Sequence, residues 1–305
     1  MKRNKDKNIE ISIITVNYHG YNDTCQMIES IRKHVKSVTY EIIVVNNSLT
    51  RDELHMLQQK YPFIVTIQNQ TNNGFAGGNN LGSLVASGKY LFFLNNDTII
   101  KDDSLIYLTE TLESSEEIGG VSPMICYADN NLIQYAGFTP LTGYTLRNHS
   151  IGNGQAICKK YQRIRRVPYL HGAAMMIKRH VYDRIGPMPE MYFLYYEEFD
   201  YCLSLARQGY SLYYDPRCII YHKESQSTGQ NSPLRTYYMT RNRMLFAYRN
   251  QTNFHLWVCL LYLTLIVAPK DCIKHLFKKR FDLAKATLMG VFDYYKLKKE
   301  EKLNH

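Results

Sequence analysis

The chain has 305 residues, of which 45% are hydrophobic. This composition is enough to bury a full core, either as one large domain or as a domain with an appendage, and it excludes disorder of the whole chain. Lysine and arginine outnumber aspartate and glutamate by 37 to 27, so an anionic partner is favoured: nucleic acid, a phosphorylated ligand or anionic lipid. The seven cysteines are scattered without a C-x-x-C pair, which indicates reduced thiols in the cytosol rather than a disulfide framework or a zinc site.

The first half of the chain alternates short apolar runs with amphipathic stretches, a pattern typical of a mainly parallel sheet covered by helices. The opening segment MKRNKDKNIE lacks the apolar core of a secretory signal, so we expect a cytoplasmic protein. We predict helices at about 24–36 and 51–61, and strands at residues 11–18, 41–48, 63–69 and 90–94.

Three of these strands end in polar residues. The first ends at Asn17, the second at Asn46, and the fourth at Asn95, Asn96 and Asp97. Ligands of open parallel sheets bind in the crevice outside the carboxyl ends of the strands, so these residues predict a nucleotide crevice rather than three unrelated turns.

A glycine-rich turn at residues 73–88 leads into a helix beside the same edge. It matches neither G-x-G-x-x-G nor the phosphate loop G-x-x-x-x-G-K-[ST], which disfavours a Rossmann dehydrogenase and a P-loop protein. In the second half, residues 121–154 show no helical period and predict irregular strands and loops. A strand and a helix over 167–186, a helix at about 197–208 and a strand ending at His222 follow.

Two groups of residues are suited to chemistry. Asp97 at a strand end can hold a divalent cation, which in turn holds a diphosphate, and His222 is a plausible further ligand or else a hydrogen-bonded histidine. Glu197, Glu198 and Asp200 begin a helix, where acidic side chains also suit the positive helix end. Glu198 and Asp200 point about 200° apart on that helix, so one of the two is structural.

The segment at residues 254–268 is the only long apolar run, and basic residues follow it. At about fifteen residues it is shorter than the roughly 20 needed to cross a bilayer. It is expected to end before Pro269 and to lie on an anionic membrane surface, with a buried core helix as the alternative.

Seven segments together carry a resemblance to a known family: ISIITVNY, EIIVVNNS, NNGFAGGNNLG, LFFLNNDT, HGAAMMIKR, MYFLYYEEFDYC and IIYH. In this order, over residues 11–249, they resemble glycosyltransferase family 2, most closely its bacterial rhamnosyltransferase-like branch. The resemblance implies a GT-A fold, an inverting mechanism and a nucleoside-diphosphate sugar donor bound through a divalent cation, Mg²⁺ or Mn²⁺.

The resemblance also implies roles for individual residues. Asp97 matches the last residue of the family's metal-binding DxD-type motif. His222 matches a histidine that contributes to the metal and diphosphate site, and Glu198 matches the catalytic base. Asn46 stands where the family commonly has an aspartate that holds the nucleoside, and Glu198 is one methylene longer than the family's usual aspartate. The turn that borders the nucleotide matches at Asn73, Gly74, Phe75, Gly78 and Asn79.

We therefore expect a GT-A catalytic domain at residues 1–249 and a membrane-associated helical extension at residues 250–305. The enzyme would move rhamnose or another hexose to a glycan acceptor, which we expect to be lipid-linked, in cell-surface polysaccharide synthesis. We expect it on the inner face of the cytoplasmic membrane and without a nucleic-acid partner. Two alternatives stay open. A sugar nucleotidyltransferase would need a basic glycine-rich loop, which the segment after Asn17 lacks, and a non-enzymatic glycan- or nucleic-acid-binding protein would not need the carboxylates.

Overall fold

A computed structural model describes residues 8–223 and 232–303. Within these residues the strands are β1 (Ile11–Asn17), β2 (Tyr40–Asn46), β3 (Val65–Gln68), β4 (Tyr90–Leu94), β5 (Thr98–Ile100), β6 (Ile118–Tyr127), β7 (Ile133–Tyr135), β8 (Arg165–Val167), β9 (Ala174–Lys178) and β10 (Ser211–His222). The helices are α1 (Tyr21–His34), α2 (Asp52–Lys60), α3 (Gly74–Val85), α4 (Leu105–Glu113), α5 (Arg179–Ile185), α6 (Glu197–Arg207), α7 (Pro233–Asn250), α8 (Asn253–Tyr262), α9 (Ala268–Phe277) and α10 (Phe281–Leu303).

One twisted sheet contains all of these strands. Its order is β3-β2-β1-β4-β9-β6-β10-β5, with β7 added to β6 and β8 added to β10. The pairs from β3 to β4 are parallel, as the sequence predicts, while β9 runs antiparallel to β4 and β6. The predicted α/β architecture is confirmed, and the parallel half brings the carboxyl ends of β1, β2 and β4 to one edge.

The centre of the sheet forms where the sequence is apolar on both faces. Every side chain of β4 is buried, and β1 is buried except at Val16. Helix α3 covers this region and approaches it closely through its glycines. A Cβ added to Gly82 would lie 2.5 Å from the Cγ2 atom of Ile14, so only a glycine fits there. The glycine-rich composition of α3 is therefore a packing requirement.

Residues 121–154 form strands and loops, as predicted, but the first strand is longer and more central than the pattern indicates. Residues 118–127 form β6, a fully central strand paired with both β9 and β10. Its glycines and Pro123 conceal the strand pattern. Pro123 has no N–H to donate, and the register with β10 shifts between Asp215, which faces Pro123, and Ile219.

The prediction that the apolar helix ends before Pro269 is also wrong. Helices α8 and α9 are joined by a π-helical turn, Leu263–Val267, into a helical stretch of 25 residues, Asn253–Phe277. By length and composition alone, this helix could cross a membrane. Pro269 lies in the first turn of α9, and the wider turn before it accommodates the missing N–H that would otherwise break the helix.

A second hydrophobic core joins the C-terminal helices to the rest of the molecule. It contains residues from four parts of the chain: the loop residue Leu146, Tyr192 and Tyr196 before α6, residues of α7, and Cys259, Leu260, Leu263, Val267 and Tyr294 of the C-terminal helices. The expected boundary at residue 250 thus falls inside a shared core.

We predict that Gly82→Ala destabilises the protein. The added methyl group must displace Ile14 in a fully buried strand, and overpacking of this kind costs about 1–3 kcal/mol, against a gain of about 1 kcal/mol in helix propensity. Urea unfolding followed by circular dichroism measures the difference. The matched control is Gly143→Ala, since a Cβ at Gly143 meets nothing within 4 Å. Equal stability of the two variants would contradict the close approach of α3.

Candidate active site

The predicted amides at the strand ends form one buried hydrogen-bonded network. Asn17 Nδ2 donates to Asn46 Oδ1 at 3.0 Å and to Glu53 Oε2 at 2.7 Å, and Asn17 Oδ1 accepts from Thr24 Oγ1 at 2.8 Å. Asn96 Nδ2 donates to the same Thr24 hydroxyl oxygen at 3.0 Å. The network fastens the ends of β1, β2 and β4 to α1 and α2 and so shapes the floor of the crevice. A direct role in nucleotide binding stays a prediction for Asn17, Asn46 and Asn96.

The amide of Asn46 explains one departure from the family pattern. Its Nδ2 atom donates to Gln68 Oε1 and to the carbonyl oxygen of Thr50, both at 2.9 Å. A carboxylate has no N–H and could not make these bonds. The residue is thus adapted to an uncharged network between β2 and β3.

The glycine-rich turn contacts the loop before α6. Gly74 has φ of 71°, and a Cβ there would lie 2.0 Å from the carbonyl oxygen of Phe193, so no other residue fits. The Phe75 N–H donates to that carbonyl oxygen at 2.8 Å. Asn73, Gly74 and Phe75 therefore border the crevice at the beginning of α3.

The next turn of α3 presses on the sheet. A Cβ at Gly78 would lie 2.7 Å from Val16, and Asn79 Nδ2 donates to the Phe75 carbonyl oxygen at 3.1 Å. Asn47 was not among the predicted site residues, yet its Nδ2 atom donates to the Gly74 carbonyl oxygen at 2.9 Å. Its place directly after Asn46 at a strand end was the available signal.

Asp97 and His222 meet at the crevice. Strand β10 pairs antiparallel with β5, which sets His222 opposite Thr98 and brings its Nε2 atom 3.1 Å from Asp97 Oδ1. The Nδ1 atom of His222 lies 2.8 Å from Gln134 Oε1, and Asn95 Nδ2 lies 3.4 Å from Nε2. Because Gln134 Oε1 accepts a hydrogen bond from Nδ1, the Nε2 atom is the ring nitrogen directed at Asp97.

These two residues fit a divalent cation. Both are buried, Asp97 Oδ1 makes no assigned hydrogen bond within the described residues, and it faces His222 Nε2 at 3.1 Å, so a carboxylate oxygen and an imidazole nitrogen converge on one point. The described residues hold no group of three or more His, Cys, Asp or Glu side chains around one point. Mg²⁺ or Mn²⁺ bound here would take one carboxylate and one imidazole from the protein and its other ligands from substrate and water. Gln134, which the sequence did not reveal, would orient the histidine.

Glu197 and Glu198 begin α6, as predicted, and neither has a cationic partner within the described residues. The Oε2 atom of each is buried and makes no hydrogen bond. Burial raises the pKa of the Glu198 carboxyl to about 7, against the opposing effect of the nearby backbone N–H groups. Burial, with repulsion from Glu198, holds the pKa of Glu197 well above its usual range. Glu197 is 4% exposed, whereas Glu198 is partly exposed and accessible to a substrate.

Asp200 occupies the opposite side of α6 and is fully engaged. Its carboxylate accepts from the Tyr192 hydroxyl at 2.9 Å, from Arg249 Nε at 2.6 Å and from Asn250 Nδ2 at 3.2 Å. Among the three predicted catalytic carboxylates it is the one that ties α6 to α7, so we assign it a structural role.

The backbone before α6 is strained. Phe193, Tyr195 and Tyr196 have φ of 66°, 68° and 76°, values that side-chain-bearing residues rarely adopt. Asn242 Nδ2 holds this loop through the carbonyl oxygens of Tyr192, Leu194 and Tyr195, at 2.8, 2.5 and 2.9 Å. Asn242 lies in α7, and no sequence pattern connects it with α6.

The segment before β9 lies between the pair Asp97 and His222 and the carboxylates of α6. The ring of His171 lies 6.4 Å from that of His222 and stacks on Phe138, and burial lowers its pKa to about 3. The following residue, Gly172, lies beside Glu198, whose Cγ atom would be 3.8 Å from an added Cβ. A neutral histidine and a glycine thus separate the two charged groups of one cleft.

Two relatives with known assignments resemble the chain in sequence. The low-salt glycan biosynthesis hexosyltransferase Agl10 of Haloferax volcanii is 25% identical over 291 residues, covering 92% of this chain and 89% of its own. The O-antigen biosynthesis protein RfbC of Myxococcus xanthus is 23% identical over 66% of this chain, which spans only 16% of that protein.

Solved structures share the fold. The mannosyltransferase PcManGT of Pyrobaculum calidifontis, in complex with GDP-Man and Mn²⁺, superposes with a TM-score of 0.56 at 11% identity and covers 95% of this chain and 88% of its own. GalNAc-T7 with UDP, GalNAc and Mn²⁺ gives 0.60 at 13% identity over 81% of this chain, about half (52%) of that protein. These likenesses confirm the GT-A fold.

The model of the family described as glycosyl transferase family 2 matches residues 12–186, which is more than half of the chain. The matched region contains the strand-end amides, the glycine-rich turn and Asp97. With the fold and the ordered motifs in agreement, the chain belongs to glycosyl transferase family 2.

Proposed function

We propose that this glycosyltransferase moves a hexose, rhamnose or another, from a nucleoside diphosphate to a hydroxyl of a glycan acceptor with inversion at the anomeric carbon. The observation that carries this proposal is the pair Glu197 and Glu198 at α6, each with an Oε2 atom that is buried and makes no hydrogen bond, set in the same cleft as the pair formed by Asp97 and His222. Similarity to a hexosyltransferase of glycan biosynthesis supports the sugar class.

Glu198 acts as the general base in this proposal. It takes the proton of the acceptor hydroxyl, whose oxygen forms a bond to the anomeric carbon as the bond to the diphosphate breaks. A single base on the acceptor side corresponds to direct displacement and hence to inversion. Asp97 and His222 would hold Mg²⁺ or Mn²⁺, which supplies positive charge for the departing diphosphate. The amide-lined edge, with Asn95 and Asn96, and the α3 turn with Gly74 and Asn79 would hold the nucleotide.

We further propose that the enzyme lies on the cytoplasmic face of an anionic membrane and acts on a lipid-linked acceptor. One side of the stretch from Asn253 to Phe277 is packed into the second core, and the other side is apolar and exposed. The exposed apolar residues are Phe254, Trp257, Leu261, Leu265, Ile266, Ile273, Leu276 and Phe277. Its length would suffice to cross, but a helix fastened along one side to the catalytic core favours a position in the interface.

We expect Asp97→Ala to abolish the effect of metal on nucleotide binding while leaving the protein folded, because the residue lies at a crevice edge and supplies a cation ligand. Calorimetry of nucleoside diphosphate binding with Mn²⁺ and with EDTA measures the effect. The control is Asp129→Ala, which removes an exposed carboxylate outside the cleft. Nucleotide affinity that is independent of metal in the unaltered protein would contradict the role of Asp97.

Glu198→Gln should keep donor binding and lower transfer by about 10²–10⁴-fold, the usual contribution of a general base. Glu197→Gln should cost less, since its carboxylate is more deeply buried. Transfer rates with saturating donor distinguish the two, and exposed Glu117 provides the control variant Glu117→Gln. A fully active Glu198→Gln beside an inactive Glu197→Gln would assign the base to Glu197.

Transfer should rise with pH and level off above about 7. The base must be ionised, and the pKa of Glu198 is raised to about 7, so the rate falls as protonation proceeds below that value. A pH profile of kcat between pH 5 and 9 at about unit intervals measures this. A flat profile across neutrality would contradict a raised pKa at the base.

Membrane binding should depend on the exposed apolar face. Phe254→Ser with Phe277→Ser removes two rings that are 71% and 86% exposed, and each buried ring contributes about 1.5–3 kcal/mol, so binding to phosphatidylglycerol vesicles should weaken at least about tenfold. Leu84→Ser, at an 80% exposed position of α3, is the control. Vesicle co-sedimentation gives the affinities. Protection of the C-terminus from protease inside sealed vesicles would instead indicate a crossing helix.

A further inference from the structure

A basic cavity lies apart from the strand edge, between α7, the loop at residues 146–149 and the C-terminal helices. Its volume is about 410 Å³. Five basic or histidine side chains line it: Arg147, His149, Arg235, Arg243 and His275. Asp271 is the acidic residue of the lining. The cavity therefore has an excess of positive charge with room for a ligand.

The three arginines have no acidic partner within the described residues, where no ion pair includes them. Arg243 donates to the Thr145 carbonyl oxygen, but its Nε atom is buried without a hydrogen-bond acceptor. Burial accordingly lowers the pKa of Arg243. A buried guanidinium donor that lacks an acceptor costs free energy unless an anion joins it.

A strained loop adds a further donor to this cavity. Leu146 has φ of 48° and is buried, and its N–H donates to the Thr142 carbonyl oxygen at 3.1 Å. This turn sets Arg147 at the cavity and leaves Asn148 Nδ2 buried without an acceptor. Two unsatisfied donors, on separate elements, thus belong to the lining of the same cavity.

The position of the cavity connects the catalytic carboxylates with the apolar helix. Tyr196, which directly precedes Glu197, forms part of its wall. Another part consists of Leu263, Val267 and Ala268, from the inner side of the stretch whose outer side is exposed and apolar. A ligand in the cavity would therefore lie between Tyr196, which precedes the two carboxylates, and the inner side of the apolar stretch.

We propose that this cavity binds the phosphate or diphosphate group of the acceptor. Arginines pair with phosphate oxygens through two parallel N–H bonds, which the guanidinium groups of Arg147, Arg235 and Arg243 can supply. The inference rests on the proposed function, because it names the class of acceptor: an anionic, phosphate-linked glycan. The donor diphosphate is assigned elsewhere, at Asp97 and His222.

Binding of inorganic pyrophosphate to the full-length protein in EDTA tests the site directly. Arg147→Gln with Arg235→Gln should weaken this binding about tenfold or more, as expected for loss of hydrogen bonds to a charged group. Arg163→Gln, an exposed arginine outside the cavity, should not change it. Arg243→Gln is measured as well, with thermal unfolding, because Arg243 also fastens Thr145. Absence of binding, or equal affinity in the Arg147/Arg235 variant, would overturn the proposal.

A second measurement distinguishes a lipid headgroup from a free anion. Vesicles of phosphatidylcholine with a small fraction of polyprenyl diphosphate are compared with phosphatidylcholine alone. The lipid-linked form is identified if the protein binds the diphosphate-containing vesicles, if pyrophosphate displaces it, and if the Arg147/Arg235 variant no longer binds. Binding of free pyrophosphate without selective vesicle binding identifies a soluble phosphate-bearing acceptor, and either result supports the site.

Transfer assays separate this inference from the proposed function. The same glycan is offered with and without its phosphate group, and the Arg147/Arg235 variant should raise KM for the phosphorylated form only. Equal transfer rates to the two forms by the unaltered protein would overturn the inference without contradicting the proposed transferase function. If pyrophosphate binding depends on the arginines but the protein transfers no sugar, the proposed transferase function is contradicted and the anion site is supported.

Discussion

The geometry of the cleft depends on how Asn242 holds the loop before α6. One amide nitrogen donates to three carbonyl oxygens, and the loop it holds contains three residues with positive φ that each cost about 1–3 kcal/mol. Without these bonds the chain would relax toward ordinary backbone conformations, and Glu197 and Glu198 would point elsewhere. The Phe193 carbonyl of the same loop also receives the Phe75 N–H, so the base and the glycine-rich turn share one support.

The charge distribution of the cleft follows from its amides. Asn17, Asn46 and Asn96 bond to one another or to nearby groups, among them the Glu53 carboxylate that accepts from Asn17, and Asp97 is the negative group at the predicted cation position. A floor with amides at these three positions repels a diphosphate less than one with aspartates there would. Burial raises the pKa of Glu198 to about 7, so the carboxyl is close to half-ionised at neutral pH, which suits the proposed role of a general base.

Local patterns predicted the strands of the parallel half and the residues at their ends, because a buried strand followed by polar residues is visible within ten residues. Asp97 and His222 were identified in this way, although their contact depends on the pairing of β5 with β10. Contacts between distant segments left no such trace. Three hydrogen bonds join separate elements in this way: Arg249 to Asp200, His222 to Gln134, and Asn242 to the loop before α6. The glycines and Pro123 of β6 also concealed the extent of that strand.

The second core has a consequence for how the protein is organised. Cys259, Leu260 and Leu263 of the apolar stretch pack in the same cluster as Tyr192 and Tyr196, the residues that flank the strained loop. The C-terminal helices are therefore a structural part of the enzyme, in addition to the membrane contact proposed for them. If the proposed membrane contact shifts that stretch, direct side-chain contact would transmit the shift to Tyr196, next to Glu197, and would couple binding at the surface to the alignment of the two carboxylates.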